Sequence, residues 1–219
     1  MGKSVAVIHT SFVSVDALKE LFKEIIPEVE MINIVDDSLL KEVMANGQIT
    51  PAIVRRISTY AQQAEALGVD LVLNQCSSVT EAVDVARKML KIPYIKIDEA
   101  MAEEAVTIGG RISVVATVAS TMGPSVRLIE RAANRMNKQV DIRRCLIDGA
   151  LDVLMKEGNK EKHNKMVLDE IERIVNDSDV IVLAQGSMIV LLPQLKHIKI
   201  PVLTSPRSGV NKIKEVLGF

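Results

Sequence analysis

The feature that most constrains the fold of this chain is an internal repeat. The segment GVDLVLNQCSS at 68–78 aligns with SDVIVLAQGSM at 178–188, and LKIPYIKI at 90–97 aligns with IKIPVLTS at 198–205. Val7 and Val114, Pro93 and Pro201, and Asp70 and Asp179 are offset by 107, 108 and 109 residues, so the offset stays within a few residues across four strand-like runs, and chance alignment would not sustain that agreement. We interpret the repeat as a duplication of one supersecondary unit of about a hundred residues.

Each copy alternates short apolar runs with longer helical patterns, which predicts an α/β fold of two pseudo-symmetric, doubly wound units, each with a four-stranded parallel sheet. The short, nearly continuous apolar runs are typical of parallel strands buried on both faces. They occupy 4–8, 29–34, 70–73, 94–97, 112–116, 140–142, 180–183 and 202–203. Apolar spacing of three and four predicts helices over 14–26, 50–67, 78–90, 125–137 and 160–176, another within 97–110, and a helical tail after Gly209. Thr50 and Pro51 suit the cap and first position of their helix.

The predicted division places residues 1–98 and the C-terminal helix 206–219 in the first unit, and residues 99–205 in the second. In open parallel sheets, ligands bind outside the carboxyl ends of the strands. Two such edges are therefore expected to surround one active site between the units.

Composition excludes several classes of function. Lys plus Arg total 27 against 28 Asp plus Glu, so no basic excess is available to neutralise phosphates, and a nucleic-acid partner is not expected. Without Trp, and with two Tyr and three Phe, the chain lacks stacking platforms for single strands or sugars. Two cysteines cannot form a disulfide framework or a Cys-rich zinc site. The apolar runs are too short for a signal peptide or a membrane span, so no membrane partner and a cytoplasmic location are expected.

Small polar residues follow strands one and three of each unit. Helix N-termini there offer backbone N–H groups to anions, and hydroxyl side chains add donors. These residues are therefore candidates for binding a small carboxylate, although Ser and Thr are also ordinary helix caps. The candidates are Thr10, Ser11, Asn74, Ser77 and Ser78 in the first unit, and Thr117, Ser120, Thr121, Gln185, Gly186 and Ser187 in the second.

Cys76 is the candidate catalytic residue. It ends a buried strand and directly precedes Ser77 and Ser78, where a helix is predicted to begin. A helix N-terminus lowers the pKa of a thiol, which would make Cys76 a nucleophile or a base. The alternative is a small buried hydrophobic residue, because free cysteine is often buried.

With these motifs the chain resembles the aspartate/glutamate racemase superfamily along essentially its whole length. That group includes aspartate, glutamate and hydantoin racemases, maleate isomerases and arylmalonate decarboxylases. The resemblance implies a cofactor-free site between pseudo-symmetric domains, a small carboxylate as substrate, two flanking thiols in the racemases, and frequent dimerisation, so a homodimer is a further expectation. Cys76-Ser77-Ser78 matches the motif of the first thiol, and Leu183–Gly186 aligns with that of the second.

The sequence departs from the family pattern at the second thiol, where the repeat register places Gln185. Glutamine has no titratable proton and cannot act as a general acid or base. Two substitutes are open. His9 ends strand one and could face the site with a pKa suited to proton transfer, or it could be a hydrogen-bonded structural residue. Cys145 could be the second thiol, although an ordinary semi-buried cysteine is the preferred interpretation. His163 and His197 lie in polar runs and are interpreted as surface residues.

We therefore expect a cofactor-independent isomerase that uses Cys76 on a small carboxylate or carbonyl acid. Three alternatives stay open: an arylmalonate-decarboxylase-like lyase, a non-catalytic module that binds small anions, and an amino-acid racemase that uses His9 or Cys145 as its second acid or base. There is no Gly-x-Gly-x-x-Gly or Walker-type loop and no metal-ligand spacing, so neither a cofactor nor a metal is expected. Asp36 and Asp37 are interpreted as a solvated turn.

Overall fold

The computed structural model describes residues 2–219. The chain divides into two compact units: the first holds the chain up to Ala100 together with Pro206–Phe219, and the second holds Met101–Ser205. Each unit contains one sheet of four parallel strands. The predicted α/β class with two four-stranded parallel sheets is confirmed.

The first unit begins the chain. Its strands are β1 (Ser4–His9), β2 (Glu30–Val35), β3 (Leu71–Asn74) and β4 (Tyr94–Lys96). Its helices are α1 (Val15–Ile25), α2 (Ser38–Asn46), α3 (Pro51–Ala66) and α4 (Thr80–Ala86), with short 3₁₀ helices at Ser77–Val79 and Arg87–Met89. The strand order is β2-β1-β3-β4. Because all pairs are parallel, the carboxyl ends of the four strands share one edge of the sheet.

The second unit repeats this topology. Its strands are β5 (Arg111–Ala116), β6 (Asp141–Leu146), β7 (Val180–Leu183) and β8 (Val202–Thr204), in the order β6-β5-β7-β8. Its helices are α5 (Glu99–Ile108), α6 (Ala119–Arg135), α7 (Ala150–Met155) and α8 (Lys160–Ile174), with 3₁₀ helices at Val175–Asp177 and Gly186–Leu195. Helix α9 (Ser205–Leu217) then carries the chain into the first unit.

Strand register agrees between the units as well as strand order. Val5 on β1 pairs with Leu71 on β3, and Ile112 on β5 pairs with Val180 on β7. These pairs reproduce the repeat offset found in the sequence, so a position in one sheet has a defined counterpart in the other.

The central strands are buried because both faces of each sheet are covered. In the second unit, Val114 and Val182 pack with α5 and α6 on one face, and Val115 and Ile181 pack with α8 on the other. Alternate residues of one strand thus enter two different cores, which explains why the apolar runs are continuous rather than alternating. Each fully buried side chain of this size stabilises the fold by roughly 1.5–3 kcal/mol.

The predicted opening of α3 is confirmed. The Thr50 hydroxyl accepts a hydrogen bond from the backbone N–H of Ile53 at 3.2 Å, and Pro51 occupies the first helical position. The cap satisfies one of the N–H groups that the first turn leaves without a helical partner.

Three predicted helices have different bounds. The helix predicted over 78–90 is split into the 3₁₀ helices that flank α4, since 3₁₀ turns are frequent at helix ends. The helix predicted from 125 begins at Ala119, so Pro124 lies inside α6 near its N-terminus. The tail helix begins at Ser205 and runs through Gly209, where a Cβ would meet the Ile97 carbonyl oxygen at 2.6 Å. Glycine is therefore used there for close packing rather than as a helix breaker.

Other elements were not predicted from the sequence. Helices α2 and α7 and the long 3₁₀ helix Gly186–Leu195 lie where no helix was expected. The surface interpretation of His163 is wrong, because its side chain is buried on the same face of α8 as Val167 and Ile171. A polar run can still place every fourth residue in the core.

Within residues 2–219, no helix has the length and apolar character needed to cross a lipid bilayer.

Candidate active site

Cys76 lies at the carboxyl edge of the first sheet, two residues after β3. It is half-buried and caps the 3₁₀ helix Ser77–Val79 with an extended backbone (φ −115°, ψ 120°). The Thr10 hydroxyl, the backbone N–H groups of Ser78 and Val79, and the Ser78 hydroxyl act on its sulfur and favour the thiolate, although Cys76 makes no side-chain capping hydrogen bond to the 3₁₀ helix. The thiol is thus surrounded by donors that can stabilise a thiolate.

Burial raises the pKa of the Cys76 thiol, and the donors from Thr10, Ser78 and Val79 offset this only in part. The expected lowering of this pKa is therefore wrong. A three-residue 3₁₀ helix offers N–H groups but aligns too few peptide dipoles to outweigh the loss of hydration. A thiol of this kind is protonated near neutral pH and is a stronger base once it ionises.

His9 ends β1, next to β3 in the same sheet, and its side chain is 0% exposed. Nε2 lies 2.9 Å from Asn33 Oδ1, and the Gln75 side chain also favours the protonated ring. Burial lowers the pKa of the imidazole, although both partners act in the opposite direction, so His9 is neutral near pH 7. Nδ1 has no hydrogen-bond partner within residues 2–219, which leaves one ring nitrogen unused.

The other candidates of the first unit divide into two groups. Thr10 and Ser78 contact the thiol, as described above, and Ser11 is half-buried in the loop after β1. Asn74 instead holds the backbone, because its Nδ2 donates to the carbonyl oxygen of Cys76 at 2.9 Å. Ser77 turns its hydroxyl toward Asp98 and so also stabilises the loop.

Asp98 is a member of this group that sequence reasoning missed. Its side chain is 1% exposed, two residues after β4, and Thr80 Oγ1 donates to Asp98 Oδ1 at 3.4 Å. Burial raises the pKa of this carboxyl, against the lowering effect of the Ser77 hydroxyl and of Lys96. An acidic residue directly after a buried strand, at the edge that carries Cys76, was the signal available in the sequence.

Lys96 is a second buried ionisable residue of the same strand. Its side chain is 2% exposed, and Nζ lies 2.8 Å from Asp84 Oδ1 on α4. Because successive strand residues alternate between faces, Lys96 and Asp98 point to the same side of the sheet, toward α4.

In the second unit, Gln185 occupies the position that corresponds to Cys76. It lies two residues after β7, caps the 3₁₀ helix Gly186–Leu195, and has nearly the same backbone angles (φ −113°, ψ 130°). Its Oε1 accepts a hydrogen bond from the backbone N–H of Thr117 at 3.2 Å. Its Nε2 is buried without a hydrogen-bond partner within residues 2–219.

The remaining candidates of the second unit lie around this residue in the chain. Thr117 is a buried residue directly after β5, and Ser120 and Thr121 belong to the first turn of α6 rather than to the loop predicted for them. Gly186 and Ser187 open the 3₁₀ helix, and Ser187 is exposed. The structure therefore brings the first-unit and second-unit candidates to the carboxyl edges of their respective sheets.

Cys145 is the last residue but one of β6, beside Val115 of β5, and His197 lies in a turn before β8. Cys145 is buried in the core with Val167 and Ile171 of α8, and burial, reinforced by the charge of Glu170, raises the pKa of its thiol to about 11. His197 is exposed and pairs with Glu172 at 2.5 Å. Within residues 2–219, no group of three or more His, Cys, Asp or Glu side chains is arranged to hold a metal ion.

Asp36, at the carboxyl end of β2, is not part of a solvated turn as expected. It is half-buried, and it accepts hydrogen bonds from Tyr60 at 2.6 Å and from Ser38 and Arg56. Burial alone would raise the pKa of this carboxyl, but these donors together lower it to about 2. Asp37 is exposed and pairs with Lys41.

Comparison with known proteins gives a consistent set of relatives. The family model described as Asp/Glu/hydantoin racemase matches residues 3–213. A hydantoin racemase from Rhizobium meliloti is 30% identical over 162 residues, which cover 72% of this chain and 64% of the relative. The chain therefore spans less than two thirds of the length of that curated relative.

Solved structures of racemases have the same fold. Allantoin racemase from Klebsiella pneumoniae superposes with a TM-score of 0.73 at 18% identity, covering 98% of this chain and 87% of that protein. Aspartate racemase from Picrophilus torridus superposes with a TM-score of 0.73 at 17% identity, covering 99% and 95% of the two chains. At these identities the likeness concerns the fold.

Proposed function

The chain belongs to the Asp/Glu/hydantoin racemase family, and on that premise we propose that it is a cofactor-independent isomerase that acts on a small carboxylate or carbonyl acid through Cys76. One observation carries the proposal: equivalent backbone positions hold a thiol in the first unit and an amide, Gln185, in the second. A thiol can take up and return a proton, and an amide cannot. The proposed reaction therefore moves a proton on one face of the substrate.

In this reaction the Cys76 thiolate removes the proton from the carbon beside a carbonyl or carboxylate group. The electron pair moves onto the carbonyl oxygen, and the thiol then returns a proton on the same face. Return to the neighbouring carbon, with transfer of the hydroxyl proton to the former carbonyl oxygen, isomerises a hydroxy-aldehyde or hydroxy-ketone, whereas return to the original carbon only exchanges hydrogen with solvent. The Thr10 hydroxyl and the N–H groups of Ser78 and Val79 stabilise the thiolate before proton removal. Because burial raises the pKa of this thiol, the rate is expected to increase with pH until the thiol is fully ionised.

Gln185 is proposed as a hydrogen-bond donor to the substrate. Its Oε1 is engaged by the Thr117 N–H, which orients the amide, and the buried Nε2 is a donor without a partner among residues 2–219. A donor directed at the oxygen where charge develops stabilises an enolate without giving up a proton. The hydroxyl and amide residues that complete the proposed substrate-binding set are Thr10, Ser11, Asn74, Ser77, Ser78, Thr117, Ser120, Thr121, Gly186 and Ser187.

His9 is the proposed source of a second proton if the protein racemises its substrate. It is neutral near pH 7, its Nδ1 has no partner in the described part of the chain, and it lies on the same sheet edge as Cys76. Two acid–base groups on one edge suit a transfer on one face better than an inversion. Cys145 is less suitable, because its thiol is buried among core residues and has a pKa of about 11.

The test is solvent exchange in deuterium oxide on a panel of chiral acids and amides, followed by chiral chromatography. Because the similar proteins are named hydantoin, allantoin, aspartate and glutamate racemases, the panel contains a 5-alkylhydantoin, allantoin, L-aspartate and L-glutamate. We expect deuterium at the carbon beside the carbonyl with retained configuration. Cys76→Ser should lower exchange by about 10²–10⁴-fold, the usual contribution of a general base. Cys145→Ser is the matched control and should keep wild-type exchange.

Other outcomes separate the alternatives. Undiminished exchange in Cys76→Ser contradicts the proposal. Inversion that disappears in His9→Asn assigns a racemase with His9 as the second acid or base. Carbon dioxide release from substituted malonates assigns a lyase.

A non-catalytic module that binds small anions is the second candidate, because burial keeps the Cys76 thiol protonated near neutral pH. Saturable binding of panel acids, with no exchange even at pH values above the thiol pKa, would assign this function.

A further inference from the structure

Asp98 carries a buried carboxyl group that has no role in the proposed reaction. Its side chain is 1% exposed, and Oδ2 has no hydrogen-bond partner within residues 2–219. Burying a carboxyl with one unsatisfied oxygen costs free energy, so a residue of this kind persists where its other contacts serve a purpose.

The contacts of Asp98 lie at the two ends of one short segment. The Ser77 hydroxyl, at the first residue of the 3₁₀ helix, donates to the carboxyl, and Thr80 Oγ1 donates to Oδ1 from the first residue of α4. Ser77 and Thr80 are themselves buried. The carboxyl therefore fixes residues 77–80 against the end of β4.

The same segment supplies the donors to the catalytic thiol. The N–H groups of Ser78 and Val79 lie between the two residues that Asp98 holds, in the turn that directly follows Cys76, and both favour the thiolate form of its sulfur. A displacement of this turn would change the position of these N–H groups relative to the sulfur. Two bonds to one buried carboxyl oppose that displacement.

Few charged groups act on Asp98. Lys96 on the same strand favours the ionised carboxyl, and Glu99, the next residue in the chain, disfavours it. The Lys96 ammonium is bound to Asp84, which reduces its effect on Asp98. Burial is the largest influence and raises the pKa of the carboxyl, so an uncharged amide is a close mimic of this side chain.

We propose that Asp98 is a positioning residue for Cys76, which holds the 77–80 turn so that its N–H groups stay beside the sulfur. The second unit supports this assignment. In the second copy of the repeat, Pro206 stands two residues after β8, as Asp98 stands two residues after β4, and the corresponding capping residue is Gln185, which has no thiolate to stabilise. The inference rests on the proposed role of Cys76, but it concerns the thiol and not turnover.

The experiment measures the Cys76 thiol pKa from the pH dependence of alkylation by iodoacetamide, with the modified peptide identified by mass spectrometry. Asp98→Ala removes both contacts and should raise the thiol pKa by about one pH unit, a tenfold loss of thiolate at any pH well below it. Asp98→Asn keeps an acceptor oxygen and should restore a pKa close to that of the wild type. If Asp98→Ala does not fold, Thr80→Val removes one contact at nearly constant volume and should give a smaller rise.

The matched control is Asp70→Asn. Asp70 holds backbone in the same unit at the opposite edge of the sheet, accepting from the Ser4 N–H at 2.9 Å, and its substitution should leave the thiol pKa unchanged. The inference is overturned if Asp98→Ala and Thr80→Val behave like this control, or if Asp98→Asn raises the thiol pKa as much as Asp98→Ala. Since no substrate is used, a failure of the proposed isomerase activity would appear separately, in the exchange assay.

Discussion

Where β1 ends, the first unit has His9, and at the corresponding end of β5 the second unit has Ala116. Asp36 and Ile147 correspond in the same way, since their N–H groups donate to the carbonyl oxygens of these two residues at 3.0 and 2.9 Å. The contrast recurs at the remaining strand ends, where the pairs are Cys76 and Gln185, Lys96 and Thr204, and Asp98 and Pro206. At every pair the titratable residue belongs to the first copy of the repeat.

The opposite edges of the two sheets are alike. Asp70 accepts from the Ser4 N–H at 2.9 Å, and Asp179 accepts from the Arg111 N–H at 2.9 Å. Each carboxylate also pairs with a cation, Lys3 in the first unit and Arg111 in the second. These bonds position the start of the central strand in each copy, which is a requirement of the fold.

The duplicated positions therefore fall into two groups with different roles. Positions that hold the sheet together kept the same chemistry in both copies, whereas positions at the carboxyl edge diverged. Because ligands bind at that edge in parallel sheets, the divergence supports the proposal that the first unit carries the proton chemistry and the second carries polar binding. This division agrees with a transfer on one face of the substrate.

The largest effect is expected from a substitution that gives the second sheet the same residue as the first at the carboxyl ends of its strands. Gln185→Cys would place a second thiol at the counterpart of Cys76, where a general acid can add about 10²-fold or more to proton delivery. We expect the variant to invert the configuration of a panel compound that the wild type exchanges with retention. Chiral chromatography after incubation in deuterium oxide measures the ratio of the two products.

Gln185→Ser is the control for this change, because it removes the amide without adding a thiol. It should show no inversion. Inversion at equal rates in both variants would mean that residue 185 does not deliver the proton. The difference between the thiol of Cys76 and the amide of Gln185 would then not explain the stereochemistry.

A smaller effect is expected where the units are equivalent. Val7 and Val114 are identical residues at corresponding positions of β1 and β5, and both are 0% exposed. Val7→Ala and Val114→Ala each remove about two methylene equivalents, so each should lower the free energy of unfolding by about 2 kcal/mol. Urea denaturation of each variant measures the loss. A difference of more than about 1 kcal/mol between them would show that the two cores do not tolerate a cavity equally.

The smallest effect concerns Asp36, a carboxyl residue of the first unit whose counterpart in the second unit is Ile147. Its pKa in the folded protein is about 2, below the ordinary value of 3.8, so it stabilises the fold above pH 4 and loses that contribution as the pH falls toward 2. Asp36→Asn should reduce the free energy of unfolding by about 1–2 kcal/mol near pH 7, and the difference from wild type should vanish below about pH 2. Denaturation at several pH values measures this. A difference that is independent of pH would contradict the assignment, and Ile147→Val, at the counterpart position, should show no such pH dependence.

The sequence predicted the strands well because burial on both faces leaves continuous apolar runs. It predicted β7 over Val180–Leu183 without error, and the ends of β3 and β8 within one residue. Helix bounds were less accurate where glycine or proline served packing. Gly209 suggested a break, yet α9 runs through it, because its missing Cβ admits the Ile97 backbone.

At the candidate site, the sequence identified Cys76 and its replacement by Gln185, because the repeat register is a property of residue order. It missed Asp98, and it predicted the wrong direction for the pKa of Cys76. Both depend on which groups surround a side chain after folding. Asp98 meets Ser77 from a strand that lies about twenty residues further along the chain, and such contacts leave no local pattern.

Residue order alone therefore establishes the duplication, the α/β class, the family and the single thiol at the strand end, since periodicity and spacing are local and each copy supports the other. The tertiary structure determines the pKa of that thiol. Hydration, hydrogen-bond donors and buried charges come from segments that are distant in the chain, and the pKa of Cys76 is the balance of these influences in three dimensions.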